Sequence, residues 1–295
     1  MVEPSKVAGR GRNTTLGRFV AQRSGLFGVA LLLALLFGAG AGGRLWRYHY
    51  DDITAQYSSA PSSQHPMGTD TIGHDVLAQV LRGLQKSMEV AVVAALVSTA
   101  AGVVIGGVGG YFGGVAEGLL MRLADVALII PGIAALAVLA ASVQDVPGNW
   151  LLIALILSAL LWARTARIVR AAVASLREEA FVEAARACGA GPGRIIARHI
   201  LPGTAGLVIT AATLTLATAV QAEAAMTFLG LGITLPDTSL GRLVAVGAQS
   251  ATTRPWLFYF PGLMIVVVVV ATNFVGDALR RALDRRADVG SALGP

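Results

Sequence analysis

Phe181-Val182-Glu183-Ala184-Ala185-Arg186-Ala187-Cys188-Gly189-Ala190-Gly191-Pro192 is a run of strong helix formers closed by two glycines and a proline. Gly189 and Gly191 stop a helix, because glycine tolerates the conformations that end one, and Pro192 is preset to begin another. The expected product is a short helix, an elbow and a second helix. It lies in a polar, basic segment, residues 164–203, bracketed by apolar runs of membrane-spanning character. The segment closes on His199-Ile200-Leu201-Pro202, where Pro202 marks the start of the next apolar run. A compact helical knob held at a membrane face is the feature around which the rest of the chain is read.

Outward from that knob, six apolar runs emerge: Ser24–Gly43, Met88–Phe112, Leu123–Ser142, Trp150–Ala163, Thr204–Leu229 and Trp256–Gly276. The fourth is short and extends into its flanks. Of the 295 residues, 55% are apolar and only 14% charged. A soluble domain carries about 25% charged residues, so much of this surface faces something other than water. Lipid cannot satisfy open backbone groups, so the runs are helices. A transmembrane barrel would instead show strands of about ten alternating residues. The expected fold class is an all-α membrane protein with six transmembrane helices.

Lysine and arginine set the orientation. With the N-terminus inside, the inner segments (1–23, 113–122, 164–203 and 277–295) hold 17 of them and the outer segments (44–87, 143–149 and 230–255) hold 6. The positive-inside rule then places both termini in the cytosol. The chain divides into a cytosolic tail (1–23), a first span with its external loop (24–87), a five-helix core (88–276) that contains the 164–203 loop, and a second cytosolic tail (277–295). A rival reading of the first run is a cleavable signal peptide, from its basic start, short apolar run Leu26–Phe37 and Ala39-Gly40-Ala41. Either way the loop that follows lies outside.

Within the runs, Gly102, Gly106, Gly110 and Gly114 recur every four residues, which bares one helix face for close packing; Gly109 and Gly113 broaden the strip. Arg164, Arg167 and Arg170 share one side of a helix leaving the bilayer, suited to lipid phosphates. Thr210, Thr213, Thr218 and Gln221 form a polar stripe in the fifth run. It either lines a substrate path or bonds neighbouring helices, unless the threonines merely back-bond their own helix. Asp125 and Glu223 read as packing or interfacial charges, and Pro131 as a kink in the third run.

Several function classes fall away. The net charge of +6 belongs to cytosolic loops rather than to nucleic-acid binding, since no aromatic-interleaved basic stripe accompanies it. Cys188 stands alone, so no intrachain disulfide or cysteine metal cluster exists. Its bland reading is a small apolar filler. Only Lys6 and Lys86 could serve a P-loop, and Lys86 follows Gln85 rather than glycine. His49, His65, His74 and His199 are scattered without zincin spacing, and no Gly-x-Ser-x-Gly elbow is present. Neither catalytic nor metal-ligating residues are therefore assigned. A self-sufficient channel or receptor would not require the basic 40-residue loop.

Glu183-Ala184-Ala185, then Gly189, then Leu201-Pro202 resembles the EAA loop of ABC-importer permeases. His199 stands where the general motif has isoleucine, a departure typical of the peptide and nickel branch. His65-Pro66-Met67-Gly68-Thr69-Asp70-Thr71-Ile72-Gly73-His74-Asp75-Val76-Leu77 resembles the "HPLGTDxxGRDVL" stretch of the C-type subunit of dipeptide and oligopeptide permeases, with His74 replacing an arginine. Residues 110–114, 121–126, 228–233, Pro255-Trp256, 260–262 and 273–280 are similar too, leaving 1–60 and 287–295 uncovered.

This resemblance implies the type I ABC-importer permease fold, with a cytosolic coupling helix seated on an ATPase. The coupling loop would comprise Glu183, Ala184, Ala185, Gly189, His199, Leu201 and Pro202, and the candidate path Thr210, Thr213, Thr218 and Gln221. It further implies a bacterial inner-membrane location and a second permease as heterodimer partner. Two ATPases that carry ATP and magnesium and an external binding protein would complete the assembly. The chain itself would bind no cofactor and no nucleic acid. The implied substrate is a di- or oligopeptide, with nickel or glutathione as alternatives inside the family.

Overall fold

The computed structural model of the chain describes residues 22–283. Among these residues the secondary structure is helical, with only isolated bridges pairing Ile53 with His74 and Thr69 with Asp75. Five helices are long and apolar enough to cross a membrane, and a bent pair, Gly114–Ile129 with Gly132–Ala141, makes six if it counts as one span. The first, α1, runs Arg23–Phe37 and continues through a π-turn at Gly38–Gly42. Next come α2 at Val76–Phe112, α3 at Gly114–Ile129, α4 at Gly132–Ala141 and α5 at Trp150–Leu176. The short helices α6 (Ala180–Ala187) and α7 (Pro192–Ile195) make the knob, and a π-turn at Ile196–Ile200 leads into α8, Leu201–Phe228. The last two are α9, Leu240–Ala248, and α10, Trp256–Leu283.

Three expectations need correction. The second span begins at Val76, twelve residues before Met88, inside the segment read as external loop. Its charges hid it: Arg82 and Lys86 depress hydropathy, yet both are neutralised by Asp237 on another element. The third span is not kinked but broken, because at Pro131 the chain turns through 85° between α3 and α4. The fourth run does extend into its flank: helix α5 continues thirteen residues past Ala163 and carries Arg164, Arg167 and Arg170. Gly114 does not belong to the glycine face, since α2 has already ended at Phe112 and an added Cβ there would meet nothing.

The remaining glycines of that face set the central packing. A Cβ on Gly102 would stand 2.7 Å from Thr165 Cβ, and one on Gly110 2.6 Å from the Arg170 carbonyl oxygen. On Gly106 it would fall on the Ala166 carbonyl. Helices α2 and α5 thus touch backbone to backbone, as small-residue faces allow. The main core gathers Val80, Leu84, Val90, Ala94, Ile153 and Leu157 with Val220 and Met226 of α8. The outward surface carries Leu26, Phe27, Leu33, Leu96 and Val104, apolar residues suited to lipid.

Candidate functional site

The knob is an amphipathic corner pinned by a second, smaller core. Val182 of α6 is fully buried with Ile195 and Ile200 against Val169 and Val173 of α5. The turn after α6 carries both bonds of a Schellman motif: Ala190 N–H donates to Ala185 O at 3.0 Å and Gly189 N–H to Arg186 O at 2.9 Å. Gly189 sits at φ +81°, the left-handed region that glycine tolerates and that ends the helix. Gly191 instead has φ −70° and caps α7, whose first position is Pro192.

The two ends of this corner are tied back to α2. Arg186 lies over the Tyr111 ring at 5.4 Å, and Arg177 donates to Gly110 O at 3.2 Å. Outward, α6 presents Phe181, Glu183, Ala184 and Arg186, while Ala185 is half-buried against the small core. His199 and Pro202 are exposed and Leu201 half-buried at the adjoining π-turn. That turn has a cause. Pro202 offers no N–H and its ring crowds the carbonyl four residues earlier. The backbone before it widens so that Leu201 N–H reaches Ile196 O, five residues back.

The polar stripe on α8 divides. Thr210, Thr213 and Thr218 each donate to the carbonyl four residues earlier, at 2.9–3.0 Å, as does Thr215 at 2.8 Å. Their hydrogens are therefore committed to their own helix. Gln221 is exposed on the same side. Thr210 lines a cavity of about 500 Å³ with Leu207 and Arg280, and Thr218 a second of about 120 Å³ with Arg164.

Reading by sequence missed a buried polar node at the other end of the bundle. Glu223, 1% exposed, accepts from Ser87 Oγ at 2.9 Å and Thr227 Oγ1 at 2.8 Å. Ser87 Oγ also accepts from Leu240 N–H at 3.2 Å, joining α2, α8 and α9. Beside it, Asp237 takes Arg82 at 2.5 Å and Lys86 at 3.4 Å; Lys86 also pairs with Glu89 and lies 4.9 Å from the centre of the Trp150 ring. Ser87 and Glu223 are 136 positions apart, so no local pattern announces the pair. Asp125, by contrast, forms an exposed ion pair with Arg167 at 2.7 Å.

The His65–Leu77 stretch folds as an ordered loop ahead of α2. Asp75 caps α2 through Ala78 N–H at 2.8 Å while accepting from Trp46 Nε1 at 3.0 Å and facing His65 Nδ1 at 2.7 Å. Asp70 accepts backbone N–H from Ile72, Gly73 and His74 at 2.8–2.9 Å. His74 Nδ1 lies 2.8 Å from it, so the histidine that replaces arginine still meets the carboxylate. Burial alone would raise the Asp70 pKa, but the hydrogen bonds of His74 and Ile72 outweigh it and hold the carboxyl below its ordinary value.

Comparison with known proteins places this architecture. The family described as "binding-protein-dependent transport system inner membrane component" matches residues 98–289. The oligopeptide transport system permease protein OppC of Mycobacterium tuberculosis strain H37Rv is 39% identical over 274 residues, spanning 92% of this chain and 94% of that protein. OppC of Bacillus subtilis strain 168 is 30% identical over 268 residues, 90% of this chain and 87% of its own. Among solved structures, a chain of the MetNI methionine ABC transporter in an inward-facing conformation superposes with a TM-score of 0.55 at 23% identity. It covers 70% of this chain and 97% of its own. That likeness speaks to the fold, which is the type I ABC-importer permease architecture.

Proposed function

The chain belongs to the family of binding-protein-dependent transport system inner membrane components, and from that premise we propose that it forms, with a second permease, the path by which an ATP-driven importer takes up di- and oligopeptides. It is a multi-pass transport subunit and not an enzyme. The single observation that carries the peptide reading is the 39% identity to an oligopeptide permease subunit along almost the whole chain. In this reading the termini and the knob face the cytosol, and α6 with its π-turn docks into an ATPase subunit. Glu183, Ala184, Ala185 and Gly189 shape the docking helix, and His199, Leu201 and Pro202 its seam with α8. ATP and magnesium belong to two partner ATPases, and an external binding protein delivers the solute. A rigid corner, pinned by Val182 inside and presenting Phe181 and Glu183 outside, suits the transmission of force between a soluble motor and the spans.

The test is reconstitution of the complete importer in vesicles with its binding protein. Labelled tri- to pentapeptides should accumulate only with ATP inside the compartment that holds the ATPases. Uptake of nickel or glutathione in their place, with peptides ignored, would move the protein to another branch of the family.

A further inference from the structure

Three arginines at three-residue spacing look equivalent in the sequence, but the structure treats one differently. Arg167 pairs with Asp125 and Arg170 with Glu117. Arg164 has neither an ion-pair nor a hydrogen-bond partner among the described residues. It is also the nearest of the three to the Trp150 end of α5. Its side chain is exposed, and it stands fourteen positions past Trp150, about 21 Å along the axis of the membrane-spanning helix α5 at 1.5 Å per residue. Side chains leave a helix tilted toward its N-terminus, so Arg164 starts toward the Trp150 end and away from the knob-side surface where it would snorkel.

What Arg164 meets there is a cavity. It shares the walls of a space of about 120 Å³ with Thr215, Thr218 and Leu128. Ile168, Ala211 and Leu214 line both this space and the neighbouring cavity of about 500 Å³, which reaches Arg280. The two spaces lie side by side along α8 and share these walls. Its chemistry is two-sided. Arg164 offers donors only, while Thr215 and Thr218, their hydrogens spent on Ala211 and Leu214, keep only acceptor capacity. An unpaired charge on a membrane-spanning helix, facing such a cavity, is a functional-site signal.

We propose that Arg164 holds the C-terminal carboxylate of a peptide in transit, with Thr215 and Thr218 accepting from its N–H groups. This rests on the peptide-importer reading. The headgroup of an anionic phospholipid is the rival, but a chain of esters and methylenes has little use for the threonine acceptors.

The experiment uses the complete reconstituted importer with Arg164→Gln, Arg164→Lys and the wild type. Uptake of Ala-Ala-Ala is compared with that of its C-terminal amide, at saturating binding protein whose affinity for each is measured separately. Loss of a charge-assisted contact should lower tripeptide uptake by Arg164→Gln about tenfold, with Arg164→Lys intermediate and amide uptake equal to wild type. Assembly and thermal midpoint should not change. Unaltered tripeptide uptake would overturn the assignment, as would an equal loss for both peptides or a lowered midpoint. A defect that vanishes in vesicles of phosphatidylcholine alone would assign Arg164 to an anionic lipid instead. If the wild type takes up neither peptide, the peptide reading itself fails and takes this inference with it.

Discussion

Gly189 and Gly191 look interchangeable in the sequence, yet their backbones differ: φ +81° at the first and −70° at the second. A Cβ on either would meet no neighbour, so the contrast between them is purely conformational. Gly189→Val should cost about 1–3 kcal/mol of local strain and re-aim the knob, whereas Gly191→Ala should be nearly silent. Both variants should reach the membrane in normal amounts. Co-purification with the ATPases and substrate-stimulated hydrolysis should fail only for Gly189→Val; normal values there would remove the knob from the transmission path. A second residue-scale expectation concerns pH. The Asp70 pKa is lowered in the folded loop, so its contribution is complete above the unfolded value, about 3.9, and is lost as pH falls through the lower folded value. Hydrogen exchange at Ile72, Gly73 and His74 should stay slow down to about pH 4 in the wild type. In Asp70→Asn it should be fast at neutral pH already; equal protection would mean that the carboxylate does not hold the loop.

Among elements, the contact between α2 and α5 is the one most exposed to single substitutions. Gly106 has no room for a side chain, because its place is taken by the Ala166 carbonyl and the Arg170 amide nitrogen at 2.9 Å. Gly106→Val should force the helices apart at a cost of about 1–3 kcal/mol or more. Gly118 of α3, which faces open space, should accept alanine without loss. Thermal melting of the detergent-solubilised protein checks both, and equal midpoints would contradict the backbone-to-backbone packing. The period of four in Gly102, Gly106 and Gly110 made this face visible in the sequence. That Gly114 falls outside it was not visible, because period says nothing about where a helix ends. Gly113 and Gly114 both take positive φ, at +68° and +53°, and the chain turns there. The break at Pro131 is similar: proline predicts an interruption, but only packing sets it at 85°.

For the whole molecule, the distribution of 17 basic residues against 6 predicts that both termini face the cytosol. With Cys188→Ser as background, single cysteines at Ser62 and Thr238 should react with an impermeant thiol reagent in intact cells, and one at Ser291 should not. The reverse pattern would invert the topology and remove the knob from the cytosol. Apolar runs, the charge bias and the EAA-like motif are all local signals, and from them the sequence alone determined a helical permease with a knob between its fourth and fifth spans. Each works because bilayer thickness, backbone hydrogen bonding and helix capping act over a few residues to about twenty. Only the tertiary structure decided which charges are cancelled and which are not. Asp237 is 155 positions from Arg82 and Glu223 is 136 from Ser87, yet each pair is in contact. Those partners turned an apparent external loop into the start of α2 and buried a carboxylate among three helices. The same placement paired Arg167 and Arg170 but not Arg164. A charge's consequence depends on what folding brings within a few ångströms of it, and no spacing along the chain encodes that distance.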